Sequence, residues 1–194
     1  MRRKQFMEMP SSEELEKELN RVKYKRRYHV VLRSTVYTLI TVAAIAVLVA
    51  TLWMPVLQIY GGSMTPTLSD GNIVVSVKTG YFQSGDVIAF YYNKKILIKR
   101  VIAGPGDWMN IEEDGTVYIN NERLDEPYLI EKALGECNIE MPYQVPESRL
   151  FVMGDHRSIS VDSRNTAVGC VAEEQIVGKI LFRVWPLNEF GKVE

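Results

Sequence analysis

One uncharged stretch limits this chain more than any other feature. From Ser34 to Leu57, 24 residues pass without Asp, Glu, Lys or Arg, and Val, Ala, Leu and Ile dominate. As a helix at ~1.5 Å per residue, a run of that length outreaches a bilayer hydrocarbon core of ~30 Å. It is too long for the apolar region of a cleaved secretory signal, and it begins too far into the chain. The sequence therefore predicts a transmembrane helix over 34–57, with Trp53 suited to the interface at its outer end. Charge supplies the orientation. Residues 1–33 hold ten Lys/Arg against five Glu, and no Lys or Arg follows the run until Lys78. The positive-inside tendency then keeps 1–33 cytoplasmic and exports 58–194, a single-pass arrangement in the cell membrane.

Ahead of the run, residues 11–27 read as an amphipathic helix. Ser11 and Glu14 have capping-box spacing, and Leu15, Leu19 and Val22 share a face. Lys23, Lys25, Arg26 and Arg27 form a basic run suited to anionic lipid headgroups. With a formal net charge of −1, the whole chain carries no basic field that would attract nucleic acid.

Beyond the run the helical period disappears. Short β-rich segments recur at Ile73–Val77, Val87–Tyr92, Ile96–Ile102, Val117–Asn120, Leu150–Met153 and Ile180–Val184. Gly85-Asp86, Gly104-Pro105-Gly106-Asp107, Asp114-Gly115 and Asn120-Asn121 punctuate them. The expected fold class is mainly β: an N-terminal transmembrane helix followed by an all-β domain of coiled antiparallel sheets. Residues 131–148 lack a period and read as an irregular excursion. Cys137 and Cys170 read as two free thiols, with one disulfide as the alternative.

The chemistry concentrates just after the span, in Gly61-Gly62-Ser63-Met64-Thr65-Pro66-Thr67-Leu68. Glycines free the backbone to present Ser63, and Pro66 stiffens the chain beyond it. A serine hydroxyl needs a base to become a nucleophile. His29 precedes the membrane run and His156 lies after it, so His156 is one candidate. Lys99 is the other. It sits in the apolar pattern Ile96-Leu97-Ile98-Lys99-Arg100-Val101-Ile102, on the face of Leu97 and Val101. Burial there would lower its pKa, whereas a strand-end lysine would instead reach back to water. A third stretch, Gly154 to Arg164, packs hydroxyls, carboxylates and guanidiniums too densely for a plain strand. It is either a salt-bridged surface loop or a shell that orients the base.

In this order, the membrane run, Ser63-Met64-Thr65-Pro66-Thr67-Leu68, Gly85–Phe90, Lys99–Asp107 and Val152–Arg164 resemble the type I signal peptidases, membrane-bound serine-lysine leader peptidases. The single span is similar to the short Gram-positive members. The resemblance implies a Ser63 nucleophile with Lys99 as general base. It implies that Ser160 orients the Lys99 amine, that Asp162 and Arg164 form a supporting ion pair, and that Arg100 and Asp155 are structural. Leu57, Ile59, Met64, Leu68 and Ile98 would line shallow apolar subsites for small −1 and −3 side chains. The substrates would be secretory preproteins cut after an A-x-A-like site, by a monomer with no metal or organic cofactor. The Ser63 N–H would be one oxyanion donor. Gly61 stands where some members carry a second donor hydroxyl, and His156 replaces the usual Asn. Two other functions are consistent with parts of the sequence: a non-catalytic membrane-anchored β module binding exported chains, and a self-cleaving repressor-type serine-lysine protease.

Overall fold

The computed structural model describes residues 11–193; residues 1–10 of the expected cytoplasmic segment, and Glu194, lie outside them. The chain divides into two compact units, with the boundary after Val49.

The first unit is helical. Helix α1 spans Ser12–Trp53 without interruption, so the amphipathic segment and the apolar run form one helix. Its start is a reciprocal cap: Glu14 N–H donates to Ser11 Oγ at 3.3 Å, and Ser11 N–H donates to Glu14 Oε2 at 3.1 Å. Among the described residues, α1 is the one helix long and apolar enough to cross a membrane. The expected boundary at Leu57 needs correction. The helix stops at Trp53, because Pro55 lacks an N–H and disfavours helical backbone in the residue before it. Leu57 belongs instead to strand β1, Val56–Gln58.

The second unit is built from antiparallel sheets. Its further strands are β2 (Ile73–Val77), β3 (Val87–Tyr92), β4 (Lys95–Ala103), β5 (Trp108–Ile111), β6 (Val117–Ile119) and β7 (Glu122–Arg123). They continue with β8 (Tyr143–Gln144), β9 (Arg149–Met153), β10 (Val171–Ala172), β11 (Ile176–Trp185) and β12 (Gly191–Lys192). The larger sheet runs β1-β2-β11-β3-β4-β9-β10, with β12 added to β11, and the smaller runs β7-β6-β5-β8. The expected mainly-β class therefore holds. Residues 131–148 contain only the two residues of β8, in keeping with an irregular excursion.

Apolar side chains gather in three clusters. One, around Ile102, Met109, Phe151 and Met153, holds residues of both sheets. Another joins Ile59, Met64 and Leu68 to Val74, Ala89 and Ile180. The third joins Ile88, Phe90 and Val101 to Val152 and Val171. Fully burying a side chain of this size is worth ~1.5–3 kcal/mol. The second cluster thus clamps the segment after β1 onto the sheet.

Candidate active site

Three sheet registers bring the sequence motifs together. In β3–β4 pairing, Ile88 lies opposite Lys99 and Ala89 opposite Ile98. In β4–β9 pairing, Arg100 lies opposite Met153, which sets the loop after β9 beside Lys99. Met64 and Leu68, 2% and 0% exposed, pin the Ser63 segment from below. The segment is further closed by Leu68 N–H donating to Met64 O at 2.8 Å and Gly61 N–H donating to Asp70 Oδ1 at 2.7 Å. Gly61 has φ +87°, a conformation that favours glycine.

Lys99 Nζ donates to Ser63 Oγ at 2.7 Å. The lysine is only 3% exposed. Burial lowers its pKa from 10.5 to about 8; Asp162 and Asp155 pull it upward, and Arg164 pushes it down. Alternation along β4 agrees with this position: Leu97 and Val101 both belong to the third cluster, and Lys99 shares their face. The lysine does not reach back to water.

The loop after β9 holds the rest. Arg164 grips Asp162 with two parallel bonds, Nε to Oδ1 and Nη2 to Oδ2, both 2.8 Å. Gly154 N–H and Ser160 O–H also donate to Asp162 Oδ2, at 2.9 and 2.7 Å. Burial would raise the Asp162 pKa, but the Arg164 hydrogen bonds and charge, with the Ser160 and Gly154 donors, hold it below the ordinary carboxylate range. Ser160 therefore spends its proton on Asp162, leaving its oxygen lone pairs to face other donors. Arg100 and Asp155 form a second buried pair, Nε to Oδ1 at 2.9 Å and Nη2 to Oδ2 at 2.7 Å. Thr67 O–H donates to the same carboxylate, and the Arg100 guanidinium stacks 3.9 Å from the centroid of the Tyr128 ring.

Leu57, Ile59, Met64 and Ile98 line a cavity of about 690 Å³ that also contains Ser63 and Lys99. Leu68, the fifth expected lining residue, instead lies wholly buried in the second cluster beneath it. His156 is not placed as a base: its Nδ1 contacts Thr65 Oγ1 at 2.9 Å, and its backbone N–H donates to Ser63 O at 3.1 Å. Cys137 and Cys170 are both free thiols. Among the described residues, no group of three or more His, Cys, Asp or Glu converges as a metal site.

A deprotonatable amine touching one hydroxyl beside an apolar trough suits acyl transfer through a serine. A family profile described as signal peptidase, peptidase S26, matches residues 32–185. The chain belongs to that family. It is similar to signal peptidase IB of Staphylococcus aureus (strain COL), with 40% identity over 68% of this chain and 78% of the relative. It is also similar to signal peptidase I of Bacillus licheniformis, with 36% identity over 82% of this chain and 91% of the relative. A crystal structure of a signal peptidase I from Enterococcus faecalis V583 matches with TM-score 0.42 and 30% identity, covering 51% of this chain and 96% of that one.

In this peptidase-family chain, several site residues were not singled out from the sequence. Gly154 is one: a Cβ there would overlap Ser160 Oγ and the Ser63 carbonyl oxygen. Thr67 and Tyr128 complete the setting of Arg100. Glu126 forms a buried ion pair with Arg157, whose Nε donates to Gly154 O at 3.1 Å. Gly154 and Thr67 lie within motifs, so their neighbours were a usable signal. Glu126 and Tyr128 lie far along the chain from their partners and carried none.

Proposed function

We propose that this protein is a signal peptidase I, a membrane-anchored serine endopeptidase that removes N-terminal signal peptides from exported preproteins after an A-x-A-like site. The observation that carries this reading is the 2.7 Å contact between Lys99 Nζ and Ser63 Oγ, made by a lysine hidden from water. Ser63 Oγ attacks the scissile carbonyl carbon while neutral Lys99 takes its proton. The carbonyl oxygen becomes an oxyanion held by the Ser63 N–H. Lys99 returns the proton to the departing nitrogen, the C–N bond breaks, and the mature chain leaves as an amine. Lys99 then takes a proton from water, hydroxide attacks the acyl-enzyme carbonyl, and Ser63 Oγ regains its proton as the ester breaks. Lysine replaces histidine in such dyads, and no metal or organic cofactor enters the steps.

Leu57, Ile59, Met64 and Ile98 form the walls for small −1 and −3 side chains. Ser160, Asp162 and Arg164 hold the lysine's surroundings in place, and Arg100 with Asp155 braces the nucleophile segment through Thr67. The protein works as a monomer in the membrane, spanning it once through α1 with residues 1–33 in the cytoplasm and the β unit outside. Ser63 follows the end of the apolar run at Leu57 by six residues, a chain distance that keeps the site close to the outer surface, where a translocated signal peptide ends. The test is precursor processing in membranes, with the new N-terminus sequenced. The unaltered chain releases the mature protein after the A-x-A site, whereas Ser63→Ala leaves the precursor intact. Processing by Ser63→Ala, or failure of an active-site serine probe to acylate the unaltered chain, contradicts the proposal.

A further inference from the structure

A second hollow, of about 210 Å³, shares no lining residue with the apolar cavity and is lined by Thr65, Glu131, Asp155, His156 and Ser158, with Ile130 at its rim. The two hollows succeed one another along the nucleophile segment: Ser63 and Met64 line the first, and Thr65 lines the second. The second hollow is tied to the nucleophile through the His156 N–H, 3.1 Å from the Ser63 carbonyl oxygen. Ser63, on the wall of the first hollow, is thus two residues from Thr65 on the wall of the second.

Its charge is one-sided. Asp155 is neutralised by Arg100, and Arg157 nearby is neutralised by Glu126. Glu131 is exposed and forms no hydrogen bond or ion pair among the described residues, so it is the carboxylate left unmatched. The imidazole adds to this. Thr65 donates its one hydroxyl proton to Gly62 O at 2.8 Å, so the 2.9 Å contact with His156 is made by Nδ1–H donating to Thr65. In the tautomer with that Nδ1–H, Nε2 is the ring's acceptor. With the Ser158 hydroxyl, the lining is rich in acceptors and lacks an unpaired cation.

We infer that this hollow is a subsite for the first residues after the scissile bond and favours an ammonium group there, with Glu131 and His156 Nε2 as its acceptors. The inference rests on the acyl-transfer reading above. Two ammonium groups fit: a lysine side chain at +1 or +2 of the substrate, and the new α-ammonium of the released chain after its amine takes up a solvent proton.

The test uses the full chain in detergent micelles and three peptides identical from −3 to −1, with Lys, Ala or Glu at +2. An exposed charge contact predicts a Lys-over-Glu preference in kcat/KM of about threefold to fivefold in the unaltered chain. Glu131→Gln brings that ratio toward one, Glu131→Lys inverts it, and His156→Asn reduces it. A second arm compares inhibition by the product peptide with a free or an acetylated N-terminus. The free amine inhibits more strongly in the unaltered chain, and Glu131→Lys removes the difference. A change of either ratio on Glu131→Lys supports the subsite, and identifies the side chain or the α-ammonium as the group bound. Cleavage with both ratios unmoved overturns the subsite alone. Cleavage of none of the peptides by the unaltered chain overturns the peptidase reading and the subsite with it.

Discussion

Lys99 and Arg100 are neighbours on β4, face opposite sides of the strand, and are almost equally hidden, at 3% and 1% exposure. Their surroundings differ in one respect. Arg100 meets a carboxylate by two parallel bonds, a carbonyl oxygen at 2.7 Å and an aromatic face. Lys99 meets a hydroxyl and apolar walls, with no ion pair among the described residues. Burial alone therefore does not determine what a cation does. The paired guanidinium keeps its charge and fastens two segments together, while the unpaired amine is pushed toward neutrality and becomes available as a base. Every buried side-chain nitrogen or oxygen among the described residues has a hydrogen-bond partner, so Lys99 is set apart by the kind of partner it has.

The largest way to break the contrast is at the dyad. Lys99→Ala and Ser63→Ala should each lower kcat/KM by ~10³-fold or more in a peptide-cleavage assay, because in the proposed mechanism each supplies half of one proton-transfer unit. Next come the paired cations. Asp155→Ala strands a buried guanidinium and should cost ~3–5 kcal/mol in denaturant unfolding, as should Asp162→Ala. The Asp162 contribution has a definite sign with pH. Its folded pKa is lowered, so the stabilisation is present above the ordinary carboxylate range and is lost as pH falls through the folded value.

Lys99→Met sharpens the contrast from the opposite side. The lysine pKa falls from 10.5 to about 8 on folding, so the unfolded chain binds the extra proton between those values. The cost of burying Lys99 is complete below about pH 8 and fades as pH rises toward 10.5. The Lys99→Met variant should be more stable than the unaltered chain by about 3 kcal/mol at pH 7, the energy equivalent of that shift, and the gap should close near pH 10.5. A smaller effect is expected from Arg100→Lys. The charge survives, but the two-pronged grip and the stacking on Tyr128 are lost, at a cost of ~1–2 kcal/mol measured by thermal unfolding.

Much of this contrast is legible in the sequence. Alternation along Ile96–Ile102 placed Lys99 on an apolar face, and the long uncharged run, its cap at Ser11 and the main strands were readable from periodicity and turn residues. The end of the helix was misplaced because Val56 and Leu57 are as apolar as the run before them; only Pro55 marked the change. Strands β7, β8, β10 and β12 have two residues each, too short for any period to register. Leu68 was expected to line the cavity, but local pattern does not tell a cavity wall from the layer beneath it. Ser160 was expected to hydrogen-bond the Lys99 amine; in the structure its proton goes to Asp162 Oδ2 at 2.7 Å, which leaves its oxygen able to accept. Glu126 and Tyr128 show the same limit, since their partners come from sheet pairing distant in sequence.

The most direct measurement is the pH dependence of kcat/KM for an A-x-A peptide, with the full chain in detergent micelles. If the walls around Lys99 keep its amine discharged by burial, the rate rises with pH and bends over at about 8. A rate already level from pH 6, or one still climbing past pH 10 as for a lysine open to water, would contradict that account.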